Sequence, residues 1–494
     1  MLLLLHGYKF VDKCVNNNLP QLTAPAALRS NGNPMQMLTA EWILPVTCPP
    51  VRKGAVVIKD DSIIFTGSKI QAESMPEFSD SQRTDLGNAV ILPGFVNVHA
   101  HLELTLLRGY LEELEFHKWI VKLTKTKNHK LTTDDLKLSA LLGAAEAIRA
   151  GITTIADTGE TAAAFNAMIQ TGMRGVAYRE VFGPDPNDAE SNLARLKHDI
   201  REMQASETRL VKTGISPHAP YTVSAELYRQ AARYSSEEGL DICIHAAESK
   251  AEEELMLLGK GDFALSLRQR GINWVPPRLS SVRYFHSLGI LEHAPLLVHC
   301  VRTSGEDLSV ISESGSRIAH CPKSNAKLGH GIAPFREFEK AGAIMGLGTD
   351  SVASNNRCDM ISEAQFCGLV HRAADTTHAE PSAERLLRLA TIDGARALRL
   401  DGLVGSLEPG KQADIICIDL SSIHNFPVND PISAIIFSAE ASDVKLTIVA
   451  GRTLYDGERV HSVNEEDLTG RLDRALQRMH GAPSNGPDND IPIV

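Results

Sequence analysis

The sequence predicts a (β/α)₈ barrel of the TIM type, together with a small β-sandwich built from segments before and after the barrel. Two observations lead to this α/β fold class. Eight short apolar runs alternate with helical patterns over roughly 250 residues, a common size for such a barrel, and most of these runs end in a polar residue. Patterns typical of β-strands also flank the alternating region on both sides. Strands that alternate with helices favour a parallel sheet, and eight such units close into a barrel.

The first residues differ from the rest of the chain. We expect residues 1–36, which are rich in Asn, Pro and Ala, to be a disordered extension or sequence upstream of the true start. A β pattern begins at Leu38 and includes a hairpin around Asp60 and Asp61. The patterns predict a sandwich of residues 37–93 and 404–460, a barrel of residues 94–403, and a C-terminal helix and tail in residues 461–494.

The eight barrel strands are expected where the apolar runs lie. They are Val96–His99, Thr153–Asp157, Gly175–Val181, Val211–Ser216, Asp241–His245, Leu296–His299, Arg317–His320 and Ala343–Gly348. Helical patterns lie between them, such as one with Ser224 and Gly239 as its caps. In this fold the chemistry lies at the C-terminal ends of the strands, where His, Glu and Asp residues fall in this chain.

Composition narrows the class of protein. The 494 residues carry 50 basic and 61 acidic side chains, a net charge of −11, which disfavours a nucleic-acid partner because phosphate-binding surfaces are basic. No apolar run approaches the roughly 18 residues that span a bilayer. The eight cysteines are scattered without a CxxC pair, which indicates free thiols in a reducing compartment. We therefore expect a cytoplasmic enzyme with a small-molecule substrate and no membrane partner. The oligomeric state stays open, with a homo-oligomer among the alternatives.

Four residues at or just beyond strand ends form a candidate set of metal ligands: His99, His101, His245 and Asp350. His99 and His101 are two apart on a strand, so both side chains point to one face. Three imidazoles and one carboxylate suit Zn²⁺, with Fe²⁺ as the alternative. Such an ion lowers the pKa of its water from about 16 toward 7. A single ion is expected, because the end of strand four reads ISPHAP and lacks the Lys that bridges two ions in two-metal hydrolases of this architecture.

Further polar residues at strand ends are candidates for catalysis. Glu248 lies three residues after His245 and can face a substrate without touching the metal. Its place in the acidic run AESKAEEE would by itself favour a solvated residue at a helix start. His299 is either a core histidine or a general acid/base beside the metal's water. His218 either caps the following helix or contacts substrate, and the residues leave both alternatives open.

These motifs together resemble the amidohydrolase superfamily, in its branch of aromatic-ring deaminases and chlorohydrolases. The matching segments are PGFVNVHAHLELTLLRG, SPHAPYTVS, HAAES, HCPKSNAKLGHGIAPF and LGTDSVASN. The resemblance implies hydrolytic removal of a ring substituent, with the four candidate ligands holding the metal. It also implies that Glu248 protonates a ring nitrogen, that His299 assists the attacking water, and that Asp350 passes the water's proton to the leaving amine.

Within this branch the sequence is similar to the aminodeoxyfutalosine deaminases, a group that acts in a menaquinone route. The similarity includes Glu103 in HAHLEL and the long segment that follows Glu248. It implies an adenine-type ring in a nucleoside-like substrate, with His218, Glu103 and Arg108 in the substrate site.

Three alternatives to this substrate class stay open. Deaminases of adenosine, methylthioadenosine and adenosylhomocysteine are the first, although they place a ribose-binding Glu after a Trp-containing helix and the corresponding stretch FHKWIVKLTKTKNHK has none. A chlorohydrolase of a triazine-like ring is the second, and the presence of Glu248 counts against it. An inactive binding scaffold is the least favoured, because the ligand set is complete.

Overall fold

A computed structural model of the chain describes residues 35–481. The predicted extension, apart from its last two residues, and the Pro- and Gly-rich end of the chain lie outside the described residues. Gln36, which the prediction assigned to the extension, begins the first strand. The predicted limits of the domains stay predictions.

Sixteen strands occur within residues 35–481. In chain order they are β1 (Gln36–Ile43), β2 (Val51–Lys59), β3 (Ser62–Ser68), β4 (Gln82–Asp85), β5 (Ala89–Pro93), β6 (Phe95–Ala100), β7 (Ile152–Gly159), β8 (Arg174–Val181), β9 (Val211–Pro217), β10 (Asp241–Ala246), β11 (Leu296–His299), β12 (Arg317–His320), β13 (Ile344–Leu347), β14 (Ile415–Asp419), β15 (Val444–Val449) and β16 (Arg452–Tyr455).

The same part of the chain contains eighteen α-helices. They are α1 (Lys69–Ser74), α2 (Phe116–Lys130), α3 (Thr133–Arg149), α4 (Ala163–Thr171), α5 (Ala189–Gln204), α6 (Ala225–Glu238), α7 (Lys250–Leu258), α8 (Gly261–Gln269), α9 (Ser281–Ser287), α10 (Gly305–Glu313), α11 (Pro322–Lys327), α12 (Phe335–Lys340), α13 (Val352–Asn355), α14 (Met360–Ala374), α15 (Ala383–Leu389), α16 (Ile392–Ala397), α17 (Pro431–Phe437) and α18 (Glu465–Gly481). None of the described helices is both long enough and apolar enough to cross a membrane.

The predicted barrel is confirmed. Strands β6 to β13 are parallel neighbours in chain order, and each lies within one or two residues of its predicted bounds. A bridge between Ala100 and Asp350 joins the end of the last strand to the first. Strand β10 shows why these runs form the barrel: all its residues after Asp241 are buried, as expected for a parallel strand covered on both faces.

The strands outside the barrel join as the sequence predicts. Strand β5, before the barrel, pairs antiparallel with β14, after it, and the whole sheet has the order β16-β15-β14-β5-β1-β2-β3 with β4 beside β1. The predicted hairpin is β2–β3, where Asp60 turns the chain with φ of +55°. Alternate residues of β2 belong to different clusters, with Val56 and Ile58 on one face and Val57 on the other.

Local signals also fix the helix that follows β9. The Ser224 hydroxyl accepts a hydrogen bond from the Leu227 amide at 3.3 Å, and Gly239 ends α6 in the left-handed conformation with φ of +64°. Both predicted caps of this helix are therefore present. Short connections of this kind return the chain to the barrel and leave the strand ends facing one side of the molecule.

Candidate active site

The four predicted metal ligands meet at the C-terminal end of the barrel. His99 lies on β6, and His101 comes directly after its last residue. His245 lies on β10, and Asp350 comes three residues after β13. One ring nitrogen of each histidine lies within 4.8 Å of those of the other two. Asp350 Oδ1 is 3.4 Å from Nε2 of both His99 and His101. The geometry is that of a compact set of donors around one point.

The chemistry of this donor set fits one divalent ion. His99 is fully buried, and neither of its ring nitrogens has a hydrogen-bond partner within the described part of the chain, a rare state for buried polar atoms. Burial lowers the pKa of His99, and burial together with the neighbouring His99 lowers the pKa of His101 to about 3. The imidazoles are therefore neutral, which is the form that binds metals. Three imidazoles and a carboxylate are suitable for Zn²⁺ or Fe²⁺.

Two hydroxyl groups orient Asp350. Ser324 and Ser354 both donate to Oδ2, with the Ser354 oxygen at 2.9 Å, which leaves Oδ1 toward the histidines. Burial by itself would raise the pKa of Asp350, but the close contact with His99 and the other nearby imidazoles hold it well below its usual range. The backbone of Asp350 has φ of +56°, a left-handed conformation that costs a non-glycine residue free energy and is found most often at functional sites.

Glu248 is not a solvated residue at a helix start. It is 4% exposed, and its Oε1 lies 3.5 Å from Nε2 of His299 and 3.2 Å from Nε2 of His330. Burial raises the pKa of Glu248, but these two imidazoles outweigh burial and leave it lowered. The backbone of this turn is held by Glu252, whose carboxylate accepts from the amides of Ala247 at 2.8 Å and Glu248 at 2.9 Å.

His299 lies between Glu248 and the candidate ligands. Its Nδ1 donates to Oδ1 of Asn325 at 2.9 Å, so Nε2 is the nitrogen that faces Glu248. A ring nitrogen of His299 also lies within 4.8 Å of a ring nitrogen of His99 and a carboxylate oxygen of Asp350. A histidine placed in this way can move a proton across the site.

His218 does not cap the helix that follows it, because α6 has Ser224 as its N-cap. Instead Nδ1 of His218 lies 2.8 Å from the hydroxyl of Thr222. The His218 carbonyl faces Nδ1 of His245 at 3.2 Å, and a hydrogen bond there leaves Nε2 of His245 for a metal. The His218 ring itself lines the cavity in front of the ligands.

The cavity has aromatic walls. Beside the site histidines it is lined by Phe116, Trp119, Phe182 and Tyr221, which suits a flat aromatic ring. Glu103 also lines this cavity, and its carboxylate accepts hydrogen bonds from the amides of residues 160 and 161 and from a threonine hydroxyl. Glu103 is therefore close to where a substrate would lie, but its oxygens already have donors.

Arg108 is the predicted site residue that the structure does not bring to the others. It forms an ion pair with Glu146 and lines a different cavity, together with Arg149 and Arg357. The cause is the 3₁₀-helix Leu102–Leu107, which separates Arg108 from the end of β6. The strand-end argument predicts the position of His101 beside the other candidate ligands, but it does not extend to residues beyond this helix.

Sequence reasoning missed two charged residues of the cavity wall, Lys127 and Glu180. Lys127, on α2, forms an ion pair with Glu160. Glu180 lies near the end of β8, and burial raises its pKa to about 8, although the charge of Lys127 opposes this. The signal for Glu180 was available, since it stands at a strand end like the predicted ligands. Lys127 gave no signal, because a lysine on an amphipathic helix is usually solvated.

The chain resembles known proteins over most of its length. The Amidohydrolase family profile matches residues 90–454. A 5-methylthioadenosine/S-adenosylhomocysteine deaminase of Pelotomaculum thermopropionicum is 32% identical over 432 residues, which are 87% of this chain and 94% of that protein.

Two solved structures share the fold. An adenosine deaminase from Xanthomonas campestris with bound zinc has a TM-score of 0.79 at 24% identity, covering 90% of this chain and 99% of that one. The Helicobacter pylori aminofutalosine deaminase in complex with methylthio-coformycin has a TM-score of 0.72 at 19% identity, covering 85% and 99%.

Proposed function

The chain belongs to the amidohydrolase family and is a hydrolase of carbon–nitrogen bonds, and from this premise we propose that it removes the amino group of an adenine-type ring in a nucleoside-like substrate. One observation carries the proposal. Glu248 is a buried carboxylate that touches two imidazoles, lines the aromatic cavity and lies beside the candidate metal ligands. In the proposal, His99, His101, His245 and Asp350 hold one divalent ion, with Zn²⁺ favoured over Fe²⁺.

The bound ion would supply Lewis acidity and lower the pKa of a water molecule toward 7. The protein's own residues manage the protons. When the water oxygen adds to the carbon that carries the amine, the ring loses its aromaticity and the adjacent ring nitrogen must gain a proton. Glu248 is ionised in the free site, because its pKa is lowered, so it takes up a proton and delivers it to that nitrogen.

Asp350 is placed to move the other proton. Its Oδ2 is held by two serine hydroxyls while its Oδ1 faces the site, so Asp350 is oriented to accept a proton from the attacking water and pass it to the departing amine. His299 lies between the two carboxylates and can relay a proton. Water thus supplies one proton to the ring and one to ammonia, and a C–O bond replaces the C–N bond.

Two substrate classes are worth separating. The identity with a 5-methylthioadenosine/S-adenosylhomocysteine deaminase over most of both chains supports an adenosine derivative of that kind. A substrate like aminodeoxyfutalosine is the second candidate, and with it a place in a menaquinone route. It is favoured by helix α2, which has no carboxylate where the first group carries its ribose-binding Glu.

The test is ammonia release from a panel of compounds. Adenosine, methylthioadenosine, adenosylhomocysteine, aminodeoxyfutalosine and atrazine would be compared, with the metal content measured on the same preparation. His101→Ala serves as the control for contaminating deaminases. We expect ammonia from at least one adenine compound and no chloride from atrazine. A metal-loaded protein that deaminates none of the adenine compounds would refute the proposal, and chloride release would favour a chlorohydrolase.

We also propose that the protein works in the cytoplasm on a small molecule. The support is that six cysteines are buried as free thiols: Cys243, Cys300, Cys321, Cys358, Cys367 and Cys417. Proteins of oxidising compartments usually pair such residues. Fractionation of the source cells, followed by immunoblotting, would test this location.

A further inference from the structure

Glu180 lines the cavity but has no role in the proposed reaction. It is 8% exposed, and its Oε1 is buried without a hydrogen-bond partner in the described part of the chain. Leaving a buried carboxylate oxygen without a donor costs free energy, so such atoms usually have a protein, water or ligand partner. The carboxyl group keeps an acceptor oxygen whether or not it is protonated. This oxygen is therefore available to a donor that enters the cavity.

The position of Glu180 indicates which part of a ligand it meets. One of its oxygens lies within 4.8 Å of a ring nitrogen of His218 and one of His245. It is therefore on the His218 side of the candidate metal ligands. Glu248 pairs with His299 and His330 instead. The two carboxylates thus face different parts of the cavity.

Lys127 supplies the complementary charge. Its side chain is 10% exposed, forms an ion pair with Glu160 and lines the same cavity. Burial lowers the pKa of Lys127, but the charges of Glu103, Glu160 and Glu180 outweigh burial and leave it raised. The ammonium is therefore cationic, and it lines the same cavity as Glu180.

An adenine nucleoside has few hydrogen-bond donors that could meet Glu180. The exocyclic amine is the group that the reaction removes, and the ring nitrogens only accept hydrogen bonds. The sugar hydroxyls are the remaining donors, and each of them also accepts. A carboxyl oxygen and an ammonium that line the same cavity match a vicinal diol, since one hydroxyl can donate to the first while the other accepts from the second.

We propose that Glu180 and Lys127 bind the vicinal hydroxyls of the substrate's sugar and make the enzyme selective for ribosides. This inference rests on the proposed function, and it deepens that function by naming the part of the substrate that is read. It also explains how a chain without a carboxylate on α2 holds a ribose: Lys127 stands on α2, and the carboxylate comes from β8 instead.

The experiment compares kcat/KM for adenosine with that for 2′-deoxyadenosine and 3′-deoxyadenosine. Because one measurement is divided by another, general damage to the protein cancels. We expect the metal-loaded enzyme to prefer adenosine by about 3- to 10-fold, the usual net effect of one hydrogen bond. In Glu180→Leu this preference should fall toward one, and Glu180→Gln should lie between. Glu190→Gln, on the exposed surface of α5, is the matched control and should keep the full preference.

A binding measurement gives a readout that does not depend on turnover. Purine riboside, which has no amine to lose, and its 2′-deoxy analogue would be titrated calorimetrically into the same proteins. Lys127→Met should reduce the difference between the two ligands in the same direction as Glu180→Leu. This variant keeps the test available should Glu180→Leu fail to fold.

The outcomes separate this inference from the proposed function. If the enzyme deaminates adenine nucleosides and the riboside preference is unchanged in both variants, the inference is wrong and the function stands. If Glu180→Leu loses bound metal, Glu180 is a ligand and the inference is also wrong. If the enzyme neither deaminates nor binds any of these nucleosides, both are overturned.

Discussion

Both ends of the barrel bury charged or polar groups, but the two ends differ in how many of these groups have hydrogen-bond partners. At the N-terminal end, Arg317 donates to both oxygens of Asp241, at 2.7 and 3.0 Å, and to the carbonyls of Ala294 and Ala397. At the C-terminal end, both ring nitrogens of His99 are buried with no partner within residues 35–481. The first arrangement is complete without a ligand, and the second is not.

This difference helps to distinguish buried polar groups that stabilise the fold from those that bind a ligand. A buried ion pair with all its hydrogen bonds made gives the barrel one defined arrangement, and removing one partner leaves a charge uncompensated. Buried donors and acceptors that stay unpaired cost free energy in the folded chain. Such a cost is offset when a metal or substrate binds, so the unpaired end is where chemistry is expected. Substitutions at the two ends should therefore affect different measurements.

The largest effect is expected for His101→Ala. The change removes one of the four proposed donors, so metal and activity should be lost together. The loss of activity should exceed the about 10- to 100-fold that follows removal of a residue that only orients a ligand. Metal analysis and kcat on the same preparation measure both. His198→Ala on α5, an exposed histidine, is the matched control. A variant with full metal would show that His101 is not a ligand.

Glu248→Gln should separate the metal from the proton transfer. Glutamine keeps the shape of the side chain but cannot pass a proton, and general acid–base steps contribute about 10²- to 10⁴-fold. We expect kcat to fall by that order while metal content stays and substrate binding changes much less. Glu253→Gln, in the same acidic run, is the control. Near-normal kcat with full metal would mean that the ring proton comes from His299 or water.

The sequence brings one part of this candidate site together. His99, His101 and His245 were found because they stand at the ends of apolar strands, where the fold brings residues together whatever the length of the connections. Asp350 was found in the same way, three residues beyond the last strand. The barrel strands followed from the apolar runs themselves, which are clear because both faces of these strands are buried.

The remaining residues depend on tertiary contacts that have no local signal. Glu252 supports the turn of Glu248 through two backbone amides, but in the sequence it is one member of an acidic run. His330 reaches Glu248 from a loop that lies 82 positions along the chain. Arg108 was predicted at the site but lies outside it, because the short helix before it places its side chain in an ion pair with Glu146. Loop paths of this kind are set by packing rather than by residue type.

Arg317→Met tests the satisfied end of the barrel. The change removes the guanidinium from Asp241 and two carbonyls and leaves the Tyr178 hydroxyl as a donor to Asp241, so the free energy of unfolding should fall by about 3–5 kcal/mol. Activity per folded molecule should stay unchanged, because the site lies at the opposite ends of the strands. Denaturant titration and kcat of the folded fraction measure the two effects. Arg399→Met removes a neighbouring but exposed arginine, 3.9 Å from Asp241, and should cost about 1 kcal/mol or less.

If Arg317→Met instead lowered kcat of the folded fraction, the two ends of the barrel would be coupled and their division into structural and functional parts would be wrong. A loss of stability no greater than that of Arg399→Met would mean that the buried pair contributes little, as is found when solvent or repacking satisfies the groups left behind.

Ser354→Ala should have the smallest effect and refines the comparison at the metal end. Ser354 donates to Oδ2 of Asp350 at 2.9 Å, but Ser324 donates to the same oxygen, so one donor remains after the change. Partners that orient a ligand are worth about 10- to 100-fold in metal affinity, and we expect the lower end of that range. Competition with a chelator measures the affinity, with Ser309→Ala on the exposed face of α10 as control. An unchanged affinity would show that Ser324 alone orients Asp350. A loss as large as that of His101→Ala would show that the hydroxyl network, as well as the unpaired donors, decides whether the site holds a metal.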